Sequence, residues 1–279
     1  MASPTWISDD DPVVPGPSGL GWLLVALRGA GLTLLLLGGL ALLLLVRLLE
    51  RPLYGVERPW TPNITVFVCR MAFRIMGIGY VAHGHRMGQP GAVVANHSSW
   101  LDIFALNAGE RVYFVSKSEV AGWPGIGWLA KATGTVFINR DPREAAVQKR
   151  VFEERLGAGH KLLFFPEGTS TDGMRVLPFK PTLFAAFFTE ALREAIWVQP
   201  VTVVYHAPDG ADPRFYGWWG EMEFGAHLLS ILAHRRQGRV EVFWHDPVRV
   251  AGFIDRKALA RAMEEAVAAS HPAARGSGG

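Results

Sequence analysis

Apolar and polar positions divide the chain into three regimes. Over residues 1 to 18 there is no periodicity: Pro4, Pro12, Pro15 and Pro17 surround the run Asp9 to Asp11. Such a stretch cannot bury a core, and residues 1–19 are expected to form a disordered lead. From Leu20 to Leu49 nearly every position is Leu, Gly, Ala or Val, broken by Arg28 and Arg47. The uncharged run Gly29 to Val46 makes roughly 27 Å of helix, close to the thickness of a bilayer core, and predicts a transmembrane anchor over residues 20–49. Arg28 is placed to snorkel toward the headgroups. The run is preceded by acid rather than by Lys or Arg, and no small-x-small cleavage site follows it, so a membrane anchor is favoured over a cleaved signal peptide.

Beyond residue 60 apolar strand patterns alternate with amphipathic helical ones. Val66, Phe67, Met71, Phe73, Ile75 and Met76 around Arg70 and Arg74 predict a helix within residues 62–80, either interfacial or core. Strands are predicted at Ala92 to Ala95, Val112 to Val115, Thr135 to Ile138, Lys161 to Phe165, Val198 to Tyr205 and Val240 to Trp244. Helices are predicted at Pro142 to Leu156, Leu183 to Ala195 and Arg256 to Ala269. This alternation implies an α/β domain over residues 60–270, with a mixed, largely parallel sheet flanked by helices. A disordered tail is expected over residues 271–279.

Composition sharpens the membrane reading. The chain is 49% hydrophobic, and its mean hydropathy is +0.17. Formal net charge is only +3, and no basic stripe interleaved with aromatics indicates nucleic acid. Asp9 to Asp11 precede the apolar run and Arg47, Arg51 and Arg58 follow it, which predicts a single-pass protein of the inner membrane with its body in the cytoplasm. One cysteine, Cys69, excludes an internal disulfide and a cysteine zinc site. His83 and His85 alternate without a third ligand, so no metal is expected. Gly125-Ile126-Gly127 has no strand feeding it and is set aside as a dinucleotide signal.

The candidate chemistry lies where predicted strands end. The strand Ala92 to Ala95 runs into Asn96-His97-Ser98-Ser99-Trp100-Leu101-Asp102. In one continuous helix His97 and Asp102 would stand about 140° apart and never meet. They pair only if the strand stops near Asn96, Ser98 or Ser99 caps a new helix, and Asp102 faces back from its first turn. That corner gives a His-Asp dyad suited to general-base work on a hydroxyl, with no covalent nucleophile nearby. A second strand ends in Asn139-Arg140, whose guanidinium suits an anion. A third ends in Pro166-Glu167-Gly168-Thr169-Ser170-Thr171-Asp172, crowding polar groups at the carboxyl edge of the sheet. Trp218, Trp219 and Phe215 are candidates to line an apolar groove or to sit at a membrane interface. The serine elbow of an α/β hydrolase is absent from the sequence.

In order and spacing, Asn96-His97 with Asp102, Gly134 through Arg140, Phe165 through Thr169, and Val198-Gln199-Pro200-Val201 resemble the four blocks of the glycerolipid acyltransferase family typified by 1-acyl-sn-glycerol-3-phosphate acyltransferase. The resemblance implies that His97 deprotonates an acceptor hydroxyl and that Asp102 orients it. It also implies that Arg140, Glu167, Gly168 and Thr169 build the acceptor site, with membrane lipids as partners. An acyl-carrier protein or coenzyme A thioester would be co-substrate, and no cofactor is needed. Many phosphate-acceptor members carry an arginine after Glu-Gly-Thr where this chain has Ser170, leaving Arg175 or Lys180 to supply any phosphate contact. The run Glu167 to Phe179 is similar to the lyso-ornithine lipid branch, whose acceptor headgroup has no phosphate. Phosphatidate formation from 1-acyl-sn-glycerol-3-phosphate is the first expectation and acylation of lyso-ornithine lipid the alternative. A non-catalytic, membrane-anchored lipid-binding module is the rival of another class.

Overall fold

The computed structural model describes residues 6–8, 14–123, 125–139 and 145–272. Most of the expected lead and tail, Pro124, and the start of the helix expected from Pro142 lie outside the described residues. The sheet is built from β1 (Gly79–Gly84), β2 (Gly91–Ala95), β3 (Val112–Lys117), β4 (Val136–Ile138), β5 (Lys161–Phe164), β6 (Trp197–His206), β7 (Arg239–Trp244) and β8 (Val248–Arg249). Their order is β1-β7-β6-β2-β5-β3-β4, with β8 on the first residues of β6. β6 pairs antiparallel with β7 and β8, and the other neighbours run parallel. The mixed, largely parallel α/β sheet expected from the sequence is therefore what forms.

Strand β2 lies between β5 and β6 and is buried throughout, as a parallel strand covered on both faces must be. Its side chains alternate between two apolar layers. Val93 and Ala95 join Phe73, Leu101, Leu106 and Val203 on one face. Ala92 and Val94 join Leu162, Phe184, Leu259 and Met263 on the other. Helices α2 (Thr61–Met76) and α3 (Asp102–Gly109) border the first layer, and α5 (Ala145–Gly157) and α8 (Arg256–Ala269) the second. Between β3 and β4 lies α4 (Ile126–Thr133), in the segment set aside as a dinucleotide signal.

Three expectations shift. The helix predicted at 183–195 is a 3-10 segment, Pro181–Phe188, and a short α6 (Glu190–Arg193), because Thr189 is extended between them. The amphipathic helix of the 62–80 region ends at Met76, where Gly77 turns left-handed at φ 82°. The tail begins later than expected, since His271 is buried. Strand β1 and helix α7 (Phe224–Ala233) were not singled out as elements: β1 is an exposed edge bracketed by glycines, and α7 is too apolar to show a polar face.

The apolar run forms α1 (Leu20–Tyr54), 35 residues or roughly 52 Å of helix. Only Leu43 and Glu50 of it are buried, and leucines such as Leu23, Leu27, Leu34, Leu37 and Leu48 present an apolar face that the protein does not cover. The rest packs along the domain. Gly31 faces Ile75 and Gly39 faces Val68 so closely that a Cβ at Gly39 would lie 2.5 Å from a Val68 methyl. Arg28 departs from its expected role: its guanidinium donates to the carbonyls of Leu232 at 2.9 Å and His234 at 2.7 Å, capping α7. Glu50 accepts from the amides of Trp60 and Thr61 at 2.7 and 3.0 Å and from the Thr61 hydroxyl at 2.7 Å, satisfying orphan donors at the start of α2.

Glu50→Ala strands these donors in a buried place, at a cost of about 1–3 kcal/mol. The apparent Tm in detergent is expected to fall by about 2–10 °C. Thermal unfolding monitored by circular dichroism checks this.

Candidate active site

Where β2 runs out, a side chain continues its ladder. Asn96, fully buried, accepts from the Val203 amide at 2.8 Å and donates to the Val203 carbonyl at 2.9 Å, fixing the next residue over the carboxyl edge of the sheet. The His97 amide donates to Glu167 Oε1 at 2.8 Å, and its carbonyl accepts from Thr171 N at 3.0 Å. The imidazole stacks on Phe165 at 4.0 Å between ring centres and 9° between planes. Its Nδ1 lies 2.8 Å from Asp102 Oδ2. Backbone, ring face and ring nitrogen are thus all held, and the side chain keeps 20% exposure.

Asp102 stands in the first turn of α3, where the helix dipole favours negative charge, and is fully buried. Its Oδ2 also accepts the amides of Ser98 at 2.8 Å and Ser99 at 3.0 Å, and Oδ1 accepts the Tyr205 hydroxyl at 2.8 Å. The expected serine cap takes another form. The residue preceding α3 is Leu101 with no side-chain cap, and the carboxylate itself closes the turn by collecting both serine amides. A carboxylate fixed to Nδ1 leaves Nε2 as the imidazole atom that faces a substrate.

The β5 loop wraps this corner. Glu167 Oε2 accepts from Leu177 N at 3.1 Å, and the side chain is 2% exposed. Burial pushes its carboxyl up to about 8, opposed by its hydrogen bonds from His97 and Leu177. Gly168 takes φ 76°, and a Cβ there would lie 2.7 Å from Lys180 Nζ. Arg175 reaches Asp172 at 3.0 Å and lies 4.8 Å from the centre of the Trp6 ring. Trp6, in the expected disordered lead, is docked here: its amide donates to Thr169 Oγ1 at 3.2 Å and its carbonyl accepts from Gly220 N at 3.1 Å.

The family model described as Acyltransferase matches residues 74–204. The lyso-ornithine lipid O-acyltransferase of Rhodobacter capsulatus is 57% identical over 267 residues, 96% of this chain and 97% of that protein. The enzyme of the same name from Brucella abortus is 42% identical over 77% of this chain and 84% of its own length. The chain belongs to the glycerolipid acyltransferase family. A 1-acyl-sn-glycerol-3-phosphate acyltransferase of Neisseria gonorrhoeae is 40% identical over 42% of this chain and 45% of its own length. The crystal structure of the 1-acyl-sn-glycerophosphate acyltransferase of Thermotoga maritima superposes with a TM-score of 0.62 over 90% of this chain and 96% of that one, at 21% identity, and shares the fold.

Within this acyltransferase the residues anticipated from sequence are not all brought together in the same way. His97 and Asp102 meet as expected. Glu167 lies beneath the histidine, bonded to its backbone, and so is placed as a support of the dyad as much as a lining of the acceptor site. Gly168, Thr169 and Ser170 follow it on the same loop, Ser170 being 8% exposed. Arg175 keeps half its side chain exposed but has its charge partnered by Asp172. Arg140 lies outside the described residues. Of the aromatics expected at an apolar groove or a membrane interface, Trp218 donates its amide to the Ser98 carbonyl at 2.8 Å, Trp219 is buried, and Phe215 packs on the core. Sequence reading missed Tyr205 and Trp6. Tyr205 lies next to last in β6, a strand legible mainly by its valines, and Trp6 lies in a proline-containing lead; neither carries a local signal.

The folded Glu167 carboxyl titrates near 8, above its ordinary value near 4.5. Its contribution to stability is therefore fully present below pH 4.5 and is lost as pH climbs toward 8. Glu167→Gln cannot ionise, so its deficit in unfolding free energy relative to the parent should narrow steadily over that interval. Denaturant melts at several pH values check this, and a constant deficit would contradict it.

Proposed function

We propose that this acyltransferase transfers a fatty acyl group from an acyl-carrier protein or coenzyme A thioester to the hydroxyl of lyso-ornithine lipid. The observation that carries the acceptor is the 57% identity to the Rhodobacter capsulatus enzyme along 97% of that protein. The site agrees in chemistry. Ser170 takes the place of an arginine, and the guanidinium of Arg175 is neutralised by Asp172, which suits a zwitterionic ornithine headgroup better than a phosphate. The weight set out from sequence, with phosphatidate formation first, is thereby reversed. The phosphate acceptor stays as the second reading, favoured by the Neisseria relative and by Lys180 beside Gly168.

In the proposed reaction His97 Nε2 removes the proton of the acceptor hydroxyl as its oxygen attacks the thioester carbonyl. Asp102 holds the imidazole in the tautomer whose Nε2 is bare and stabilises the imidazolium that results. The tetrahedral adduct collapses with loss of the thiolate, which takes the proton back from His97, giving ester and thiol. Among the described residues the hydrogen-bond partner of the His97 ring is Asp102 and not a serine or cysteine that the ring could activate, which favours direct transfer within a ternary complex.

The exposed leucine face of α1 anchors the protein to a membrane, which we take to be the inner membrane with the domain at its cytoplasmic face. One observation favours a helix lying along the membrane surface over a single crossing. Trp6, before α1, donates to Thr169 of the domain, and α2, after it, packs on α3 of the same domain, whereas a helix that crossed would put its two flanks on opposite sides.

His97→Ala is expected to lower turnover by about 10² to 10⁴ while circular dichroism is unchanged. Asp102→Asn should leave a small residue of activity. Thiol release from acyl-carrier protein thioester in detergent reports both, and parental rates in His97→Ala would remove the mechanism. For the acceptor, purified enzyme given lyso-ornithine lipid or 1-acyl-sn-glycerol-3-phosphate should prefer the former by at least about tenfold in kcat/KM, a difference of about 1.4 kcal/mol. The reverse preference would install the second reading.

A further inference from the structure

The dyad has a neighbour that none of the four sequence blocks contains. Tyr205, next to last in β6, donates its hydroxyl to Asp102 Oδ1 at 2.8 Å, on the carboxylate oxygen not shared with His97. The other oxygen collects the imidazole and two backbone amides. A buried carboxylate held on one oxygen only is free to pivot about its Cβ–Cγ bond, and such rotation would trade the imidazole contact for the amides. The tyrosine closes that freedom. Its ring is itself placed by Tyr216, 5.7 Å away between centroids, and its strand is pinned two residues earlier by the Asn96 bonds to Val203. The same bond therefore links the strand carrying Tyr205 to the loop carrying His97.

We infer that Tyr205 is a positioning residue of the transfer reaction, the third member of a His97-Asp102-Tyr205 chain. It fixes the Asp102 carboxylate and draws negative charge away from the oxygen that faces the imidazole. This inference rests on the proposed role of His97 and Asp102 as the base. Burial and the adjacent Asp102 charge hold the tyrosine hydroxyl well above its ordinary range, so it stays a neutral donor throughout the working pH interval and does not itself titrate there. The groups that face this pair are His97 on the β2 loop, Glu167 on the β5 loop, Tyr216 after β6 and Tyr80 on β1. None of the last three touches the imidazole ring nitrogens, but Glu167, raised to about 8, titrates in the same interval, so it is the displacement of the acid limb of kcat/KM between parent and Tyr205 variants that reports the dyad.

Tyr205→Phe keeps the ring packing and removes one oxygen. Without that donor the carboxylate is more basic and holds a protonated imidazole more tightly. The acid limb of kcat/KM is then expected to move to higher pH by about half a unit or more. At the same time kcat should fall by about 10- to 100-fold, with the acceptor KM within about threefold of the parent. A fluorinated tyrosine introduced at position 205 is a stronger donor of the same shape and should move the limb the other way. This second variant decides the matter if Tyr205→Phe proves unstable in thermal unfolding. A Tyr205→Phe enzyme with parental kcat and a superimposable pH profile, or a fluorotyrosine enzyme whose limb stays in place, would overturn the inference. Full activity in His97→Ala would instead overturn the reading on which it rests.

Discussion

A carboxylate with no exposure to solvent organises this protein's chemistry. An unpaired buried charge costs several kcal/mol, so Asp102 is tolerable only where donors converge on it. Here they come from the turn that carries the histidine, from the imidazole, and from a neighbouring strand. Meeting that requirement is what forces residues 96 to 102 to fold back on themselves. A second buried acid, Glu167, takes the amide of the same histidine, yet burial outweighs its hydrogen bonds and keeps its proton on up to about 8. One acid holds the ring and the other the backbone, and their mutual repulsion is among the effects that lift Glu167.

The sheet supplies the stage for this pair. β2 and β5 are adjacent and parallel, so His97 and Glu167 leave neighbouring strands at one edge. β6, on the other side of β2, brings Asn96's partner and Tyr205 to the same edge. The apolar hairpin of α1 and α2 is closed by small residues, Gly31 and Gly39 of α1, that let it approach Ile75 and Val68 of α2 closely. It leaves a leucine face for lipid, and Trp6 ahead of it reaches the loop of Thr169 and Arg175. Anchor and catalytic loop are one packed unit, which suits an acceptor whose acyl chain stays in the bilayer.

Much of this was written plainly in the sequence. The buried strands show as short apolar runs, and the spacing from His97 to Asp102 by itself requires a strand-to-helix corner for the two side chains to meet. The elements that stayed hidden had physical reasons. β1 is an exposed edge with little apolar alternation, α7 lacks a polar face, and the 181–193 segment is helical in composition but is cut by an extended Thr189. The support that Glu167 gives the His97 turn left no local signal, because its bond partners, His97 and Leu177, lie far off in sequence or across a turn. Arg28 reads as a snorkelling cation from its place in an apolar run, yet it is drawn to the carbonyl end of a helix two hundred residues further along. Long-range hydrogen bonds of this kind leave no mark on local pattern.

The central claim is that Asp102 presents His97 Nε2 to a lipid hydroxyl. The most direct measurement is an experimental structure with the lysolipid acceptor bound. The account predicts the acceptor's hydroxyl oxygen about 3 Å from His97 Nε2, with Nδ1 still on Asp102. A hydroxyl seated away from the imidazole, or a ring rotated so that Nδ1 faces the acceptor, would contradict it.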